Sequence, residues 1–150
     1  TETGLFGAAE PDHLRPMLWR ELRYEDDAGH PAGTPRKAEP LRFDEDLLKY
    51  FQALGRARGA QPALRRGTTQ TVLADEARRV YAFARVLGDD RVVAAFNLTE
   101  KEQPLEVAFA AKQARDLISG RKLRGRDGKI TLALLPFSAA LVAADAPRAQ

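Results

Sequence analysis

The sequence predicts a mainly β protein: an antiparallel β-sandwich that follows one helix. Three observations support this. After about Gly67 the apolar residues alternate with polar ones in short runs rich in β-branched and aromatic residues, which is typical of strands. The turns between most runs are too short for the crossovers that parallel strands need, so the pairing is antiparallel. Residues 1–43 show no period, and one helical pattern separates them from the runs.

The helical pattern lies at 44–58, in "FDEDLLKYFQALGRARGAQP". Asp44 can cap the helix, and the acidic residues after it suit the positive end of the helix dipole. Gly59 can terminate the helix, and Pro62 prevents its resumption. Its apolar stripe consists of Leu47, Phe51 and Leu54.

Six or so short strands are predicted in the second half of the chain. In "PLEVAF", Leu105, Val107 and Phe109 share one face, and "KITLALL" alternates in the same way. Tyr81 and Phe83 likewise share a face. The strand segments are "TTQTVLA", "RVYAFARVL", "RVVAAFNL", "PLEVAFA", "KITLALL" and "SAALVAA", separated by turns at 88–90, 99–104 and 125–128.

Composition excludes several classes of function. The net charge is only +3, from 24 basic and 21 acidic residues, and no apolar run approaches the roughly 20 residues of a membrane span. The chain has no cysteine and thus no disulfide. A nucleic-acid site would interleave basic residues with aromatic ones, but here they are apart, so a solvated face is predicted instead. The densest basic cluster comprises Arg115, Arg121, Lys122, Arg124, Arg126 and Lys129.

The sequence shows no catalytic apparatus of its own. The two histidines, His13 and His30, lack the Cys or His partners of a zinc site. No Ser–His–Asp arrangement or phosphate-binding loop is evident. We therefore predict no catalytic residue, no metal and no cofactor in this chain, and neither a nucleic-acid nor a membrane partner.

One segment, "AEPDHLRPMLW", has the composition of a sugar-binding site. Carboxylates and an arginine that can share hydrogen bonds with hydroxyl groups stand next to apolar and aromatic side chains, Met17 and Trp19. The alternative is a loop that docks through Met17 and Trp19 while its charges remain in water. The polar members are Glu10, Asp12, His13 and Arg15.

This segment resembles the one that follows the eighth barrel strand in the α-amylase family of glycoside hydrolases. There the chain runs approximately Tyr-Gly-(Asp/Thr)-Glu, then a Gly-rich loop, then Asp-Pro-x-Asn-Arg-x-Pro-Met-x-Trp. Thr1 and Glu2 correspond to the end of the first motif. The second motif is matched by Pro11, Asp12, Arg15, Pro16, Met17 and Trp19.

The resemblance continues through the chain in the same order. "DEDLLKYFQALGRARGAQPALRRG" is similar to the last helix of the (β/α)8 barrel with the connection that follows it. "RVYAFARVLGDDRVVAAFNLT" and "LLPFSAALVAA" are similar to the β-sandwich after the barrel. The residues of the Asp-Pro-x-Asn-Arg motif are typical of the neopullulanase, cyclomaltodextrinase and maltogenic amylase branch, and the resemblance therefore favours that branch.

The resemblance implies three regions: 1–66, the last loop and helix of the barrel; 67–146, the C-terminal antiparallel β-sandwich; and 147–150, a tail. In the family an Asp nucleophile, a Glu acid/base and a further Asp lie at the ends of earlier barrel strands. The chain is therefore expected to be the C-terminal portion of a larger enzyme, inactive alone, that supplies support and a loop of the substrate cleft. The implied partner is an α-glucan or maltooligosaccharide, bound through the parent enzyme.

By resemblance, the substrate-binding residues of this chain are Glu10, Asp12 and Arg15. The match is incomplete, because the family motif has Asp, Asn and Arg where this sequence has Glu10, His13 and Leu14. Leu14 cannot donate the hydrogen bonds of a guanidinium, so that sugar contact is lost unless Arg15 replaces it. The parent enzyme would then have altered subsite preferences or be inactive.

A non-catalytic carbohydrate-binding or interaction β-sandwich is the alternative function. Against it, such a module needs several exposed aromatic residues on one sandwich face, and the single Trp lies outside the predicted strands. The enzyme-part hypothesis predicts self-association through the exposed barrel-facing surface. The branch resembled and the absence of cysteine favour a cytoplasmic location.

Overall fold

The computed structural model describes residues 17–26, 37–38 and 40–145. The chain divides into two compact units, Thr1–Gln52 and Ala53–Gln150. The first unit contains the described loop segments and the beginning of the long helix. The second contains the end of that helix and all the described strands.

Helix α1 spans Glu45–Ala60 and helix α2 spans Pro62–Arg66. The predicted cap is confirmed, because Asp44 Oδ1 accepts a hydrogen bond from the Leu47 amide at 2.8 Å. Pro62 has a different role from the predicted one: it opens α2, at a position where its missing N–H would have no partner in the helix. Of the predicted apolar stripe of α1, Phe51 is exposed and the two leucines are half-buried.

Eight strands follow the helices in the described part of the chain. Their bounds are β1 Thr68–Asp75, β2 Val80–Leu87, β3 Asp90–Asn97, β4 Gln103–Ala108, β5 Gln113–Asp116, β6 Lys122–Arg126, β7 Lys129–Leu134 and β8 Ala139–Ala144.

All neighbouring strands pair antiparallel, in the order β1-β2-β3-β8-β5-β6-β7-β4. One half of the sheet consists of β1, β2, β3, β8 and β5, and the other of β7 and β4. Strand β6 joins these halves, since it pairs with β5 through Arg124 and its neighbours and with β7 through Gly125 and Arg126. The sheet is thus continuous and folds over on itself. The predicted mainly β, antiparallel fold is confirmed.

The main core lies between the two halves of the folded sheet. The predicted inward faces of β4 and β7 are confirmed. Leu105, Val107 and Phe109 are buried at β4, and Ile130, Leu132 and Leu134 are buried in β7. The opposite face of β3 and β8 carries a smaller cluster, in which Ala63 of α2 packs near Val92 and Ala143. Helix α2 therefore covers part of the outer surface of the sheet.

Two strands, β5 and β6, were missed in the sequence, which predicts a solvated basic face there. The prediction of solvation is correct for β6, whose Lys122, Arg124 and Arg126 are exposed. The backbone of β6 nonetheless pairs with its neighbours in the sheet. Leu123 and Gly125, which alternate with these charged residues, are half-buried. Arg115 of β5 is half-buried, and its Nη2 lies 3.1 Å from Asp145 Oδ1. No helix in the described ranges is long and apolar enough to cross a bilayer.

Candidate functional site

The substrate-binding residues proposed from the resemblance, Glu10, Asp12 and Arg15, lie outside the described residues, as do His13 and Leu14. The description of the predicted cleft loop therefore begins at Met17.

A tyrosine holds the described part of this loop. Tyr24 Oη accepts a hydrogen bond from the Trp19 amide at 2.6 Å and donates to the Met17 carbonyl oxygen at 3.3 Å. The side chains of Met17 and Trp19 remain 45% and 56% exposed. Tyr24 thus fixes the backbone of the loop while the indole ring stays accessible. No sequence pattern predicts this role, because a tyrosine that binds the backbone five residues away has no characteristic spacing.

An arginine connects the loop with the start of α1. Arg20 Nη2 lies 2.9 Å and 2.6 Å from the two carboxylate oxygens of Glu45, and its guanidinium carbon lies 5.5 Å from the centre of the Phe43 ring. Both charged side chains are substantially exposed, so the pair orients the loop more than it stabilises the fold. The sequence does not predict this pair, because the two residues are 25 positions apart and no local pattern relates them.

The loop and the start of α1 border a cavity of about 540 Å³. Charged and aromatic side chains line it, including Arg20, Tyr24, Arg42, Phe43 and Glu45. Guanidinium, carboxylate and phenol groups can all hydrogen-bond hydroxyl groups, and aromatic rings can pack against the apolar faces of a sugar. Within the described ranges, no group of three or more His, Cys, Asp or Glu side chains is placed to hold a metal ion.

The outer surface of β2 and β3 carries three aromatic rings, which we call the aromatic cluster: Tyr81, Phe83 and Phe96. The ring centres of Tyr81 and Phe83 lie 5.9 Å apart, and Phe96 lies 6.4 Å from Tyr81 and 6.0 Å from Phe83. The predicted shared face of Tyr81 and Phe83 is confirmed. Phe96 joins them because the register pairs it with Tyr81, and register between strands is not readable from one strand alone.

Three arginines beside α2 bind the ends of the helices and the neighbouring strand. Their donors are directed at backbone carbonyls near helix C-termini, where cations are favoured. The pairs are Arg58 Nη1 with the Leu64 oxygen (2.8 Å), Arg65 Nη1 with the oxygens of Arg58 (2.8 Å) and Gly59, and Arg85 with the Ala63 oxygen (3.3 Å) and Thr69 Oγ1 (2.6 Å). Arg58 and Arg65 therefore link the end of α1 to α2, and Arg85 of β2 links α2 to the sheet.

Comparison with known proteins identifies the strand-rich unit. Residues 70–141 match the family model described as "Maltogenic Amylase, C-terminal domain". These residues form a C-terminal domain of the α-amylase family. The match runs from β1 into β8, so it includes both halves of the folded sheet. The relationship predicted from the motifs, with the neopullulanase and maltogenic amylase branch, is confirmed.

Likeness to relatives extends beyond this domain. Neopullulanase 2 of Thermoactinomyces vulgaris is 26% identical over 139 residues, which cover 91% of this chain and 20% of that protein. The structure of AmyP in complex with maltose is 27% identical, with a TM-score of 0.60 over 81% of this chain and 26% of that one. A cyclomaltodextrinase structure, 20% identical, shares the fold with a TM-score of 0.71 over 96% of this chain and 22% of that one.

The chain therefore spans about a fifth to a quarter of the length of these relatives. Its residues correspond to the C-terminal β-domain and the segment before it.

Proposed function

We propose that this chain works as the C-terminal portion of an α-glucan-acting glycoside hydrolase of the neopullulanase type. In that role it supplies structural support and one loop of the substrate cleft, and the catalytic carboxylates lie in a barrel formed by residues outside this chain. The substrate class proposed is an α-glucan or maltooligosaccharide, in keeping with the maltose bound to AmyP.

One observation carries this proposal: the alignment with neopullulanase 2 covers 91% of the chain, whereas the family model matches 70–141. The likeness therefore includes residues before the β-domain, where the cleft-loop motif and α1 lie. A self-sufficient binding module would have no need of that segment. This favours a part of an enzyme over the alternative of a lone carbohydrate-binding or interaction sandwich.

In the proposed mechanism, two carboxylates about 5 Å apart perform retaining hydrolysis of the glucosidic bond. The residues of this chain orient the substrate. Tyr24 and the Arg20–Glu45 pair fix the loop that follows Asp12 and Arg15, and the exposed indole of Trp19 offers an apolar face. Asp12 and Arg15 would accept from and donate to sugar hydroxyl groups.

The experiment that tests the proposal begins with the native product, detected in source-cell lysate with an antibody against the β-domain. A band several times heavier than 16.6 kDa is expected. The intact polypeptide should release reducing sugar from cyclomaltodextrin, pullulan or starch with retention of the α-anomer, and the 150-residue chain alone should release none. A native band at 16.6 kDa, or maltooligosaccharide binding by the chain without hydrolysis by any longer product, would instead support the binding module.

Substitutions in the cleft loop provide a finer test. Asp12→Ala and Arg15→Ala in the intact polypeptide are expected to lower kcat/KM for maltooligosaccharides by about tenfold or more, because a hydrogen bond to a charged group contributes about 1.5–3 kcal/mol. Lys49→Gln, on the exposed surface of α1, is the matched control and should leave kcat/KM unchanged. Equal activity of all three variants would remove Asp12 and Arg15 from the proposed site.

A further inference from the structure

Strands β6 and β7 carry four basic side chains on one exposed face. Lys122, Arg124 and Arg126 are exposed on β6 and alternate with half-buried residues, and Lys129 is exposed at the start of β7. Alternate residues of a strand lie on the same side of a sheet, about 6.7 Å apart. The four side chains, which we call the basic face, therefore form one surface. The whole chain has a net charge of only +3, so this grouping does not follow from composition.

The sheet register places like charges directly opposite each other on this face. Arg126 pairs with Lys129 across the hairpin turn, and Lys122 pairs with Arg115 of β5. The Cβ atoms of such pairs lie about 5 Å apart, and like charges at that distance destabilise a sheet. Arg115 is neutralised within the chain, since its Nη2 lies 3.1 Å from Asp145 Oδ1. The fold gains no stability from the other pair, whereas an anion bound between its two cations would offset their repulsion.

Described carboxylates neutralise little of the charge at the hairpin. Lys129 Nζ lies 3.4 Å from Glu106 Oε2, but both side chains are more than three-fifths exposed, so the pair is weak. Among the described residues, neither Arg124 nor Arg126 has an ion-pair partner. Two neighbouring guanidinium groups, each with its planar set of donors, are therefore accessible to a ligand.

A cavity of about 510 Å³ lies against the basic face. Its volume is within the range of about 300–1,000 Å³ that is typical of small-molecule sites. The lining combines three cations with two carboxylates and a hydroxyl group, and all six lining residues are polar or charged. They are Glu106, Arg124, Arg126, Asp127, Lys129 and Thr131.

This lining fits a ligand that carries one phosphate group and several hydroxyl groups. A phosphate monoester has a charge of about −1.5 to −2 at pH 7 and three acceptor oxygens, which guanidinium groups bind in a bidentate manner. The carboxylates of Glu106 and Asp127 would repel further phosphates, but they accept hydrogen bonds from hydroxyl groups. A polyanion is therefore disfavoured. A membrane surface is disfavoured as well, because the lining offers no apolar side chain to enter the lipid.

We propose that the basic face and the cavity beside it bind a sugar phosphate. Arg124 and Arg126 bind the phosphate oxygens, Lys129 adds positive charge, and Glu106 and Thr131 share hydrogen bonds with the sugar hydroxyl groups. The phosphate ester belongs either to a free sugar or to a glucan chain. All the residues of the site lie in the β-domain, so the inference does not depend on the catalytic role proposed for the parent enzyme.

Isothermal titration calorimetry of the 150-residue chain with glucose 6-phosphate at low salt tests the site. We expect saturable binding, and binding of glucose and of inorganic phosphate that is weaker by about tenfold or more, because each makes only part of the hydrogen bonds. The absence of binding would overturn the proposal. Equal affinity for glucose 6-phosphate and inorganic phosphate would also overturn it, since the face would then hold an adventitious ion only.

A second set of ligands identifies the source of the phosphate and tests the competing partners. Tighter binding of a 6-phosphorylated maltotriose than of glucose 6-phosphate would assign the site to a phosphorylated glucan, and equal or weaker binding would assign it to a free sugar phosphate. Duplex DNA or phosphatidylglycerol vesicles that bind more tightly than either sugar phosphate would overturn the proposal in favour of a polyanion surface.

Charge-removing variants locate the site. Arg126→Gln should weaken the binding of glucose 6-phosphate by about tenfold, because it removes charge-assisted hydrogen bonds. The same variant should keep or raise the thermal unfolding midpoint of the ligand-free chain, because it relieves the repulsion with Lys129. Arg56→Gln, at an exposed position of α1, removes the same charge elsewhere and should leave the affinity unchanged. An equal loss in both variants would show that binding follows net charge, and would overturn the site.

Discussion

Asn97 shows at the scale of one residue how the end of the sheet is held. Its side chain is 1% exposed, and its Nδ2 lies 2.7 Å, 3.1 Å and 2.9 Å from the carbonyl oxygens of Lys101, Leu134 and Leu135. Its Oδ1 accepts from the amide and hydroxyl of Thr99. One buried amide therefore ties the end of β3 to the turn after it and to the end of β7.

Replacing Asn97 with alanine should lower the free energy of unfolding by about 3 kcal/mol, because buried backbone groups would lose their partners. Urea denaturation of the 150-residue chain measures this as a lower midpoint at an unchanged slope. Thr99→Ser, which keeps the hydroxyl that binds Asn97 Oδ1, is the control and should shift the midpoint far less. An equal loss in both variants would contradict the central role of the amide.

Phe137 lies in an unfavourable backbone conformation. Its φ is 48°, in the left-handed region, and its side chain is 68% exposed, so little packing offsets the strain. Asparagine tolerates this region well. Phe137→Asn should therefore raise the stability of the 150-residue chain by about 1 kcal/mol. A calorimetric melting temperature measures the gain, and a decrease would show that the exposed ring contributes packing.

At the scale of elements, Gly125 allows β6 to pair on both sides. A Cβ at this position would lie 2.1 Å from the Ala111 carbonyl oxygen, and the Gly125 amide donates to the Lys112 oxygen at 2.9 Å. We expect Gly125→Ala to destabilise the 150-residue chain by about 2–4 kcal/mol, since the backbone must move apart. Gly55→Ala, in the middle of α1 with nothing within 4 Å, is the control and should stabilise by about 0.5–1 kcal/mol. Similar effects from both would contradict a close approach at Gly125.

Elements with a clear period were predictable, and those without one were not. Helix α1 and strands β4 and β7 follow simple local patterns, and the structure has them where the periods indicate. Strands β5 and β6 are short and rich in charged residues, so no local pattern distinguishes them from a solvated loop. Helix α2 has only five residues, and its first amide is bound by Asp90 Oδ2 at 2.7 Å, a tertiary contact that sequence does not show.

At the scale of the whole molecule, recognition of the family depended on motif order rather than on any single residue. Short motifs in the correct sequence of loop, helix and strands were enough to predict the C-terminal part of an α-amylase-family protein. The contacts that shape the described loop were not predictable. Both Tyr24 with Trp19 and Arg20 with Glu45 depend on how the backbone turns, and neither pair has a recurring spacing.

Self-association of the 150-residue chain remains a prediction. Five large hydrophobic side chains in the described part of the first unit are each more than two-fifths exposed: Met17, Trp19, Leu22, Tyr50 and Phe51. Such surface tends to associate. Sedimentation velocity at increasing protein concentration should show oligomers, and Trp19→Ser combined with Phe51→Ser should reduce them. A chain that stays monomeric at all concentrations would contradict this prediction and weaken the barrel-facing interpretation of these residues.

The position of β8 has a consequence for synthesis on the ribosome. Strand β8 is the last of the described strands in sequence, yet it lies between β3 and β5 and pairs with both of them. Until it leaves the exit tunnel, β3 and β5 each have an unpaired edge, which can pair with another nascent chain. Completion of the domain is therefore delayed until the end of its translation, and premature termination shortly before Ala139 would produce an aggregation-prone polypeptide rather than a shortened domain.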